Sequence, residues 1–451
     1  MMDSHICRVF FMGNTKSMTQ SFELFAEGYK SEPYWWEAAP RPPVDDTRLP
    51  ATADVLVVGS GYTGLQAAIE TARAGRDTVV VDSEAAGFGC STRNGGQVST
   101  SIKPTYAALE RLHGSRIARE IREEGIKALG YLESFIETEG LECDWRRVGR
   151  FHGAYHRRHF DALAREISSA PKGLEIEAHM VPRSEQYSEI GSDLYHGGVV
   201  FPQHASLHPG KYHQGLLDLA RASGVRVVSH CPVNGLTASR NGFLVTTAHG
   251  ILHARDVVIA TNGYTKSLTP WHQRRVIPIG SYMIATEELD SELIMRLSPK
   301  ARVMSDTRKL VFYYRICPDR RRVLFGGRVA LKETNPKVSA PRLHEAMCKI
   351  FPELHHTPIT HSWLGFVAYT FDTLPHFGVV DGLHYAMGYC GSGVSLASYF
   401  GRRIGEKVLG RKEGKSPLEE VIFRTRPFYV GDPWFLAPSV LAYQIRDRIG
   451  V

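Results

Sequence analysis

The sequence predicts an α/β fold in which a Rossmann-like dinucleotide-binding domain shares the chain with a second, mainly antiparallel sheet. Three observations carry that expectation. Asp54-Val55-Leu56-Val57-Val58 is a nearly unbroken apolar run, as a parallel strand buried on both faces requires. Leu65, Ala68, Ile69 and Ala72 follow at i, i+3, i+4 and i+7, the period of a helix with one buried face. Between about 280 and 330, short β-prone runs at Tyr282 to Thr286, Val311 to Tyr314 and Val323 to Phe325 predict an antiparallel sheet.

Residues 1–50 read as a peripheral arm, because Pro40, Pro42, Pro43 and Pro50 forbid a regular element there. Nothing before Met18 carries a structural pattern, so Met18 is an alternative start, and Val9 to Met12 is too short for a signal-peptide core. Tyr34-Trp35-Trp36 reads as a packing anchor for the arm. A βαβ unit follows, with Gly75 placed as a helix C-cap and Thr78 to Val81 as its second strand. Ser115 to Glu139 is a long amphipathic helix carrying Ile117, Ile121, Leu129, Leu132 and Ile136 toward a core. Leu207 to Ala222 predicts another helix. Val225 to Ser229, Phe243 to Thr247 and Val257 to Ala260 predict strands, and Gly393 to Val408 a closing helix rich in small residues.

Composition narrows the function classes. A chain of 451 residues has room for two or three domains, and with 43% hydrophobic and 22% charged residues it is not disordered. No apolar run reaches the ~18 residues of a membrane span. Seven scattered cysteines without a Cys-x-x-Cys pair argue against a disulfide framework and a cysteine zinc site, which points to a reducing, cytoplasmic setting. The net charge of +7 is spread thinly over the chain, so no nucleic-acid partner is expected.

Gly59-Ser60-Gly61-Tyr62-Thr63-Gly64 sits between the first strand and its helix. Gly59 permits the tight turn, Gly61 lets a pyrophosphate approach the backbone, and Gly64 allows close helix–sheet packing. The helix N-terminus offers unpaired N–H groups and the positive end of its dipole to the phosphates. Asp82 ends the next strand 18 residues beyond Gly64 and can accept from both ribose hydroxyls, which disfavours a 2′-phosphate. NAD and FAD share this fingerprint. The low-bulk loop Gly87 to Gln97 suits backbone running beside an extended cofactor, and Gly388 to Val394 opens a second helix whose N-terminus stabilises charge on a reduced flavin ring. FAD is the expected cofactor.

The first βαβ unit, GFGCSTRNGGQ (87–97), HARDVVIATNGYT (253–265) and the 363–394 stretch together resemble the D-amino-acid-oxidase-like FAD-dependent oxidoreductases. Within them the chain is most similar to the γ-glutamylputrescine oxidoreductase group. The resemblance runs from about residue 30 to 415. It implies an FAD domain in three pieces (51–105, 207–276 and 361–412) interleaved with a substrate domain (106–206 and 277–360), an arm at 1–50 and a tail at 413–451. It further implies that Ser91, Thr92, Arg93, Asn94, Gly95, Gly96 and Gln97 line pyrophosphate and flavin. Val233 would reach the adenine, Thr261, Asn262 and Gly263 would pass the cofactor, and Trp363, Gly365, Gly391, Ser392, Gly393 and Val394 would surround the isoalloxazine.

Departures from the family pattern bear on substrate and attachment. Amino-acid oxidases of this family supply an arginine near the position of Gly365 or Phe366, and sarcosine oxidases a lysine where this chain has Ser395. No cysteine lies between Cys348 and Cys390, so non-covalent FAD is expected. The lysine that assists oxygen in sarcosine oxidases is replaced near Leu324 and Phe325. Tyr313, Tyr314, Arg315 and His376 are the substrate-pocket candidates, each weighed against plain packing. His152, His156 and His159, and His204, His208 and His213, lack a metal-binding spacing, and Cys390 reads as a small buried residue. The expected activity is hydride transfer from an amine to flavin, with a small-molecule amine as substrate and oxygen or another electron acceptor. A dehydrogenase feeding a quinone or carrier protein, and a non-catalytic FAD-containing assembly protein, are the alternatives.

Overall fold

The computed structural model describes residues 22–43, 47–330 and 332–450; Val9 to Met12 and Met18 lie outside them. Within these residues, two large sheets organise the chain. The first grows from the apolar run, which forms strand Thr52–Val58 between parallel neighbours Thr78–Val81 and Gly250–Ile259, with Arg226–Val228 beyond. The twofold period of a strand turns Val55 and Val57 into one core and Leu56 and Val58 into another. Leu383–Met387 adds in parallel to Gly250–Ile259. Helix Tyr62–Arg73 packs against helix Gly393–Val408 through small residues. A Cβ at Gly401 would lie 2.5 Å from the Thr63 carbonyl oxygen, so the two backbones touch where only glycine fits.

The second sheet has nine strands, in the order Phe25–Lys30, Ile359–Tyr369, Ile277–Thr286, Val323–Gly327, Tyr313–Ile316, Val303–Asp306, Arg150–Gly153, Gly198–Phe201 and His179–Val181. Its ladders are antiparallel except where Phe25–Lys30 meets Ile359–Tyr369 and where Val303–Asp306 meets Arg150–Gly153. The register that matters for the site places Ser281 opposite Gly365 and Tyr313 opposite Gly326.

Several expectations shift. The arm is not peripheral throughout, because Phe25–Lys30 is an edge strand whose Phe25 and Tyr29 pack on the second core. Ile359–Tyr369 holds a ten-position register with Ile277–Thr286, so residues 361–369 pair in the second sheet rather than the first. The long helix spans Tyr106–Thr138, capped by Thr105 and broken at Gly114, where φ is 79°. The strand expected at Val311 to Tyr314 runs from Tyr313 to Ile316, since Tyr314, Arg315 and Ile316 are the buried residues. Pro209 opens helix Pro209–Ala222 at its first turn, where no N–H is needed, and the His208 side chain caps it. The tail contains a helix, Leu436–Ile449, that the sequence hides: its solvent side carries Leu441, Ile445 and Ile449, so the chain shows no simple amphipathic stripe.

Candidate active site

The glycine loop is locked by its own hydrogen bonds. A Cβ on Gly64 would fall 1.9 Å from the Gly59 carbonyl oxygen, and one on Gly61 would fall 2.9 Å from Ser91 Oγ. The Tyr62 N–H donates to Ser91 Oγ at 3.0 Å, tying the helix start to the Gly87 to Gln97 loop. Asp82 accepts from the Ser60 N–H and hydroxyl at 2.8 and 2.6 Å, and the Ser60 hydroxyl accepts from the Gly87 N–H. The carboxylate thus shapes the loop.

The following loop is braced by the arm. Trp35 Nε1 donates to the Asn94 carbonyl at 2.8 Å and Trp36 Nε1 to Thr92 Oγ1 at 3.0 Å. The Thr92 hydroxyl is fully buried and donates onward to the Gly87 carbonyl, so it holds the loop and faces no ligand. Asn94 closes the turn, accepting from the Gly96 N–H and donating to the Ser91 carbonyl. Gln97 Nε2 donates to the carbonyls of Met304 and Tyr314, joining this loop to the second sheet.

A cavity of about 1150 Å³ is lined from both sheets, above the roughly 300–1,000 Å³ of a common small-ligand pocket. It has room for part of an extended cofactor beside a substrate. One wall comprises Tyr62, Ser91, Arg93, Asn94, Gly95 and Gln97, another Gly391, Ser392, Gly393 and Val394, with Asn262 and Gly365 between them. No side chain caps helix Gly393–Val408 at Ser392, which leaves backbone N–H groups at its start for a ligand. The facing wall holds Ser281, Tyr313, Arg150, His152, Ser305 and Arg328. The Tyr313 and Ser281 hydroxyls are 2.8 Å apart, and burial pushes the Tyr313 phenol up. The His152 Nδ1 lies 2.8 Å from Ser305 Oγ; burial, then the charges of Arg150 and Lys103, pull this imidazole down to about 3.

Other expected residues stand elsewhere. Gly59, Gly61, Gly64, Asp82, Val233, Thr261 and Gly263 lie beyond the cavity walls. Asn262 Oδ1 accepts from the Gly388 N–H at 2.9 Å, linking two cofactor-side segments. Trp363 does not face the cavity: it is fully buried and donates to the Arg93 carbonyl at 2.8 Å. Of the substrate-pocket candidates, Tyr313 alone lines the wall. Tyr314 is buried against Tyr195 Oη at 2.8 Å. Arg315 is buried and clamps the carbonyls of Leu207 and Gly96. His376 bonds Asp372 at 3.1 Å and stacks on Phe423 with ring centroids 3.9 Å apart. All three are packing residues: strand alternation turns Tyr314 to the face opposite Tyr313, the carbonyls of Leu207 and Gly96 engage Arg315, and Phe423 covers His376. Burial lifts the Cys90 and Cys390 thiols to about 11, which leaves them protonated.

Sequence reasoning missed Lys103, Arg150, Ser281 and Arg328 as wall residues, and it missed helix Leu436–Ile449, whose Leu436, Ser439, Val440, Tyr443 and Arg446 close one side. No arginine stands near Gly365 in the sequence, and the cavity's arginines, Arg150, Arg308 and Arg328 among them, come from other segments of the chain. The one local signal was alternation: Arg150 and His152 flank buried Phe151 on one strand. Among the described residues no group of His, Cys, Asp and Glu can hold a metal ion, and no helix is long and apolar enough to cross a membrane.

Comparisons with known proteins agree with this geometry. The family model for FAD dependent oxidoreductases (DAO) matches residues 54–407. The chain is 30% identical over 414 residues to the gamma-glutamylputrescine oxidoreductase of Escherichia coli K12, covering 91% of this chain and 96% of that one. It is 29% identical over 372 residues to a probable oxidoreductase OrdL of Haemophilus influenzae, covering 81% and 85%. In fold it is similar to a glycine oxidase from Geobacillus kaustophilus, with a TM-score of 0.69 at 16% identity, covering 80% of this chain and 96% of that one. An L-proline dehydrogenase from P. horikoshii gives a TM-score of 0.67 at 17% identity over 87% and 99%.

Proposed function

The chain belongs to the DAO family of FAD dependent oxidoreductases, and from that premise we propose that it oxidises the carbon–nitrogen bond of a γ-glutamylputrescine-like or other N-substituted amine. The observation that carries this reading is a cavity in which Tyr62 at the start of its helix, the loop from Ser91 to Gln97, the uncapped start of helix Gly393–Val408 and the side chains of the second sheet meet. The residues fit FAD. Only glycine fits at 64, where a Cβ would meet the Gly59 carbonyl oxygen, and one cavity is lined by both Ser91 and Val394. Gly59 to Gly64, Asp82, Val233 and Thr261 to Gly263 would hold the adenosine half, and Arg93 to Gln97, Gly365 and Gly391 to Val394 the ring half. Attachment would be non-covalent.

When bound, FAD supplies the hydride acceptor. The amine carbon gives up a hydride and its nitrogen a proton, and water splits the resulting imine into a carbonyl compound and an amine or ammonia. The two electrons pass to oxygen or another acceptor. The protein's share is orientation and charge placement. Helix Gly393–Val408 presents its positive end where negative charge develops. Tyr313, kept protonated by burial and fixed by Ser281, can only donate or accept a hydrogen bond. His152, held neutral, adds no positive charge beside the amine. The test is chemical. The purified protein should be yellow, release FAD to the supernatant on heat precipitation, and form a trappable carbonyl product from γ-glutamylputrescine in air or with an artificial acceptor. Yellow retained in the pellet would overturn non-covalent binding, and no carbonyl product from any amine would overturn the proposed activity.

A further inference from the structure

Most cations of the cavity wall have acceptors. Arg308 pairs with Asp306, its Nε 2.8 Å from the carboxylate. Arg328 pairs through Nη1 with Glu333 at 2.7 Å and with the Gly280 carbonyl, although its Nε and Nη2 are buried without partners. Arg122 donates to the Ile102 carbonyl. Arg150 differs. Among the described residues its guanidinium has no hydrogen bond and no ion pair, and its Nε is buried without a partner. Its one recorded contact is with the Phe201 ring, 5.1 Å from the centroid. Burial alone lowers it to about 10, with no carboxylate near enough to oppose the shift. What surface it keeps faces the cavity. Lys103 lines the same region, and the nearby His152 and His204 are both pushed toward neutrality, first by burial and then by the arginine. An enclosed, uncompensated guanidinium is costly unless an anion arrives to pair with it.

We propose that Arg150 is the anchor for a carboxylate carried by the amine substrate on a carbon remote from the one oxidised. The inference rests on the amine-oxidising reading above and narrows its substrate class to amines with a distant carboxylate. Remoteness follows from the sheet. Tyr313, which packs within 3.0 Å of a Cβ built on Gly95, marks the ring end of the cavity. The strand of Arg150 lies two places along, past Val303–Asp306, and two strand spacings are roughly 10 Å. A carboxylate on the reacting carbon cannot span that gap, whereas one at the end of a γ-glutamyl arm can. The cofactor's phosphates are not the partner, since their site lies at the start of helix Tyr62–Arg73, at the opposite wall. A guanidinium presents paired donors that fit a carboxylate in a way a lysine does not.

The experiment compares γ-glutamylputrescine with putrescine, which share the oxidisable amine and differ in the carboxylate-bearing arm, on the FAD-loaded protein. Arg150→Met should raise KM for γ-glutamylputrescine roughly 10- to 150-fold, the range for losing a hydrogen bond to a charged group. Its kcat, and kcat/KM for putrescine, should stay within about twofold, and Arg150→Lys should recover part of the loss. A second readout needs no turnover. Glutarate should raise the melting temperature of the wild type and leave Arg150→Met unmoved. Equal loss for both amines, or a glutarate shift that persists in Arg150→Met, would overturn the proposal and make Arg150 a structural residue. Sarcosine or D-alanine outcompeting γ-glutamylputrescine, with the same dependence on Arg150, would overturn the remote placement. Should no amine be oxidised at all, the functional reading fails, and the glutarate shift still decides whether Arg150 binds an anion.

Discussion

The two walls of the cavity are built on opposite plans. The dinucleotide side is backbone held by nearby side chains: Gly59 to Gly64 and Gly87 to Gln97 are short contiguous loops whose polar groups are taken up by Ser91, Asn94, Asp82 and the arm tryptophans. The substrate wall is a collection of side chains from separate strands and one terminal helix, with Arg150 left unpaired. The first plan makes a rigid site for a ligand that does not change. The second leaves recognition to a few exchangeable groups. Substitutions on the first wall should therefore remove FAD, and substitutions on the second should change substrate use while FAD stays.

The largest effect is expected at Gly64. A Cβ there meets the Gly59 carbonyl oxygen at 1.9 Å, a backbone clash that no rotamer relieves, so Gly64→Ala should yield protein without the flavin band. Retention of FAD by that variant would show that the loop has slack. Asp82→Ala comes next. It removes the acceptor of two Ser60 bonds as well as the proposed ribose acceptor, and should weaken FAD retention roughly 10- to 150-fold by dialysis. Equal stripping of both forms would show that Asp82 serves neither.

Acid sharpens the comparison from another side. His213, donating to the Ser60 carbonyl at 2.8 Å, is pushed down to about 3 by burial, and His272 to about 4. The unfolded chain takes up protons near pH 6.5 while these folded sites do not. Their contribution is complete above about pH 6.5 and falls as pH drops toward the folded values, by roughly 2 kcal/mol per histidine at pH 5. Melting temperature should therefore fall steeply between pH 6.5 and 5, and His213→Gln should flatten part of that slope. An unchanged slope would place His213 outside the linkage. The smallest effect is expected on the substrate wall: Tyr313→Phe removes one hydrogen bond to Ser281, worth ~1 kcal/mol. It should slow flavin reduction about fivefold without loss of FAD.

The same contrast explains what could be read beforehand. The dinucleotide wall was legible because its information is local. Glycine spacing, a flanking apolar strand and a following helix all fall within the 42 residues from 54 to 95, and the turn chemistry of Gly59 to Gly64 has few alternatives. The substrate wall was not, because Ser281, Tyr313, Arg328 and Arg150 come together only through the pairing of strands far apart in sequence. Helix Leu436–Ile449 was missed since its solvent side is apolar, the reverse of the pattern that marks a surface helix. Trp363 and Thr92, which the family resemblance places at the cofactor, are fully buried and donate to the Arg93 and Gly87 carbonyls.

In the proposed reaction an amine enters this cavity and loses a hydride as the neutral base. An alkylamine of pKa ~10.4 is mostly protonated at pH 7.4, a deficit of about 4 kcal/mol. The wall residue closest to that role, His152, does not titrate in the relevant range because its imidazole is held down to about 3. The most direct measurement is anaerobic stopped-flow bleaching of the flavin band by sub-saturating γ-glutamylputrescine from pH 7 to 9, with glycine and D-alanine as comparators. Bleaching by γ-glutamylputrescine that accelerates as pH rises, with little response to the two amino acids, is the expected result. A flat pH profile, or rapid bleaching by glycine or D-alanine alone, would contradict it.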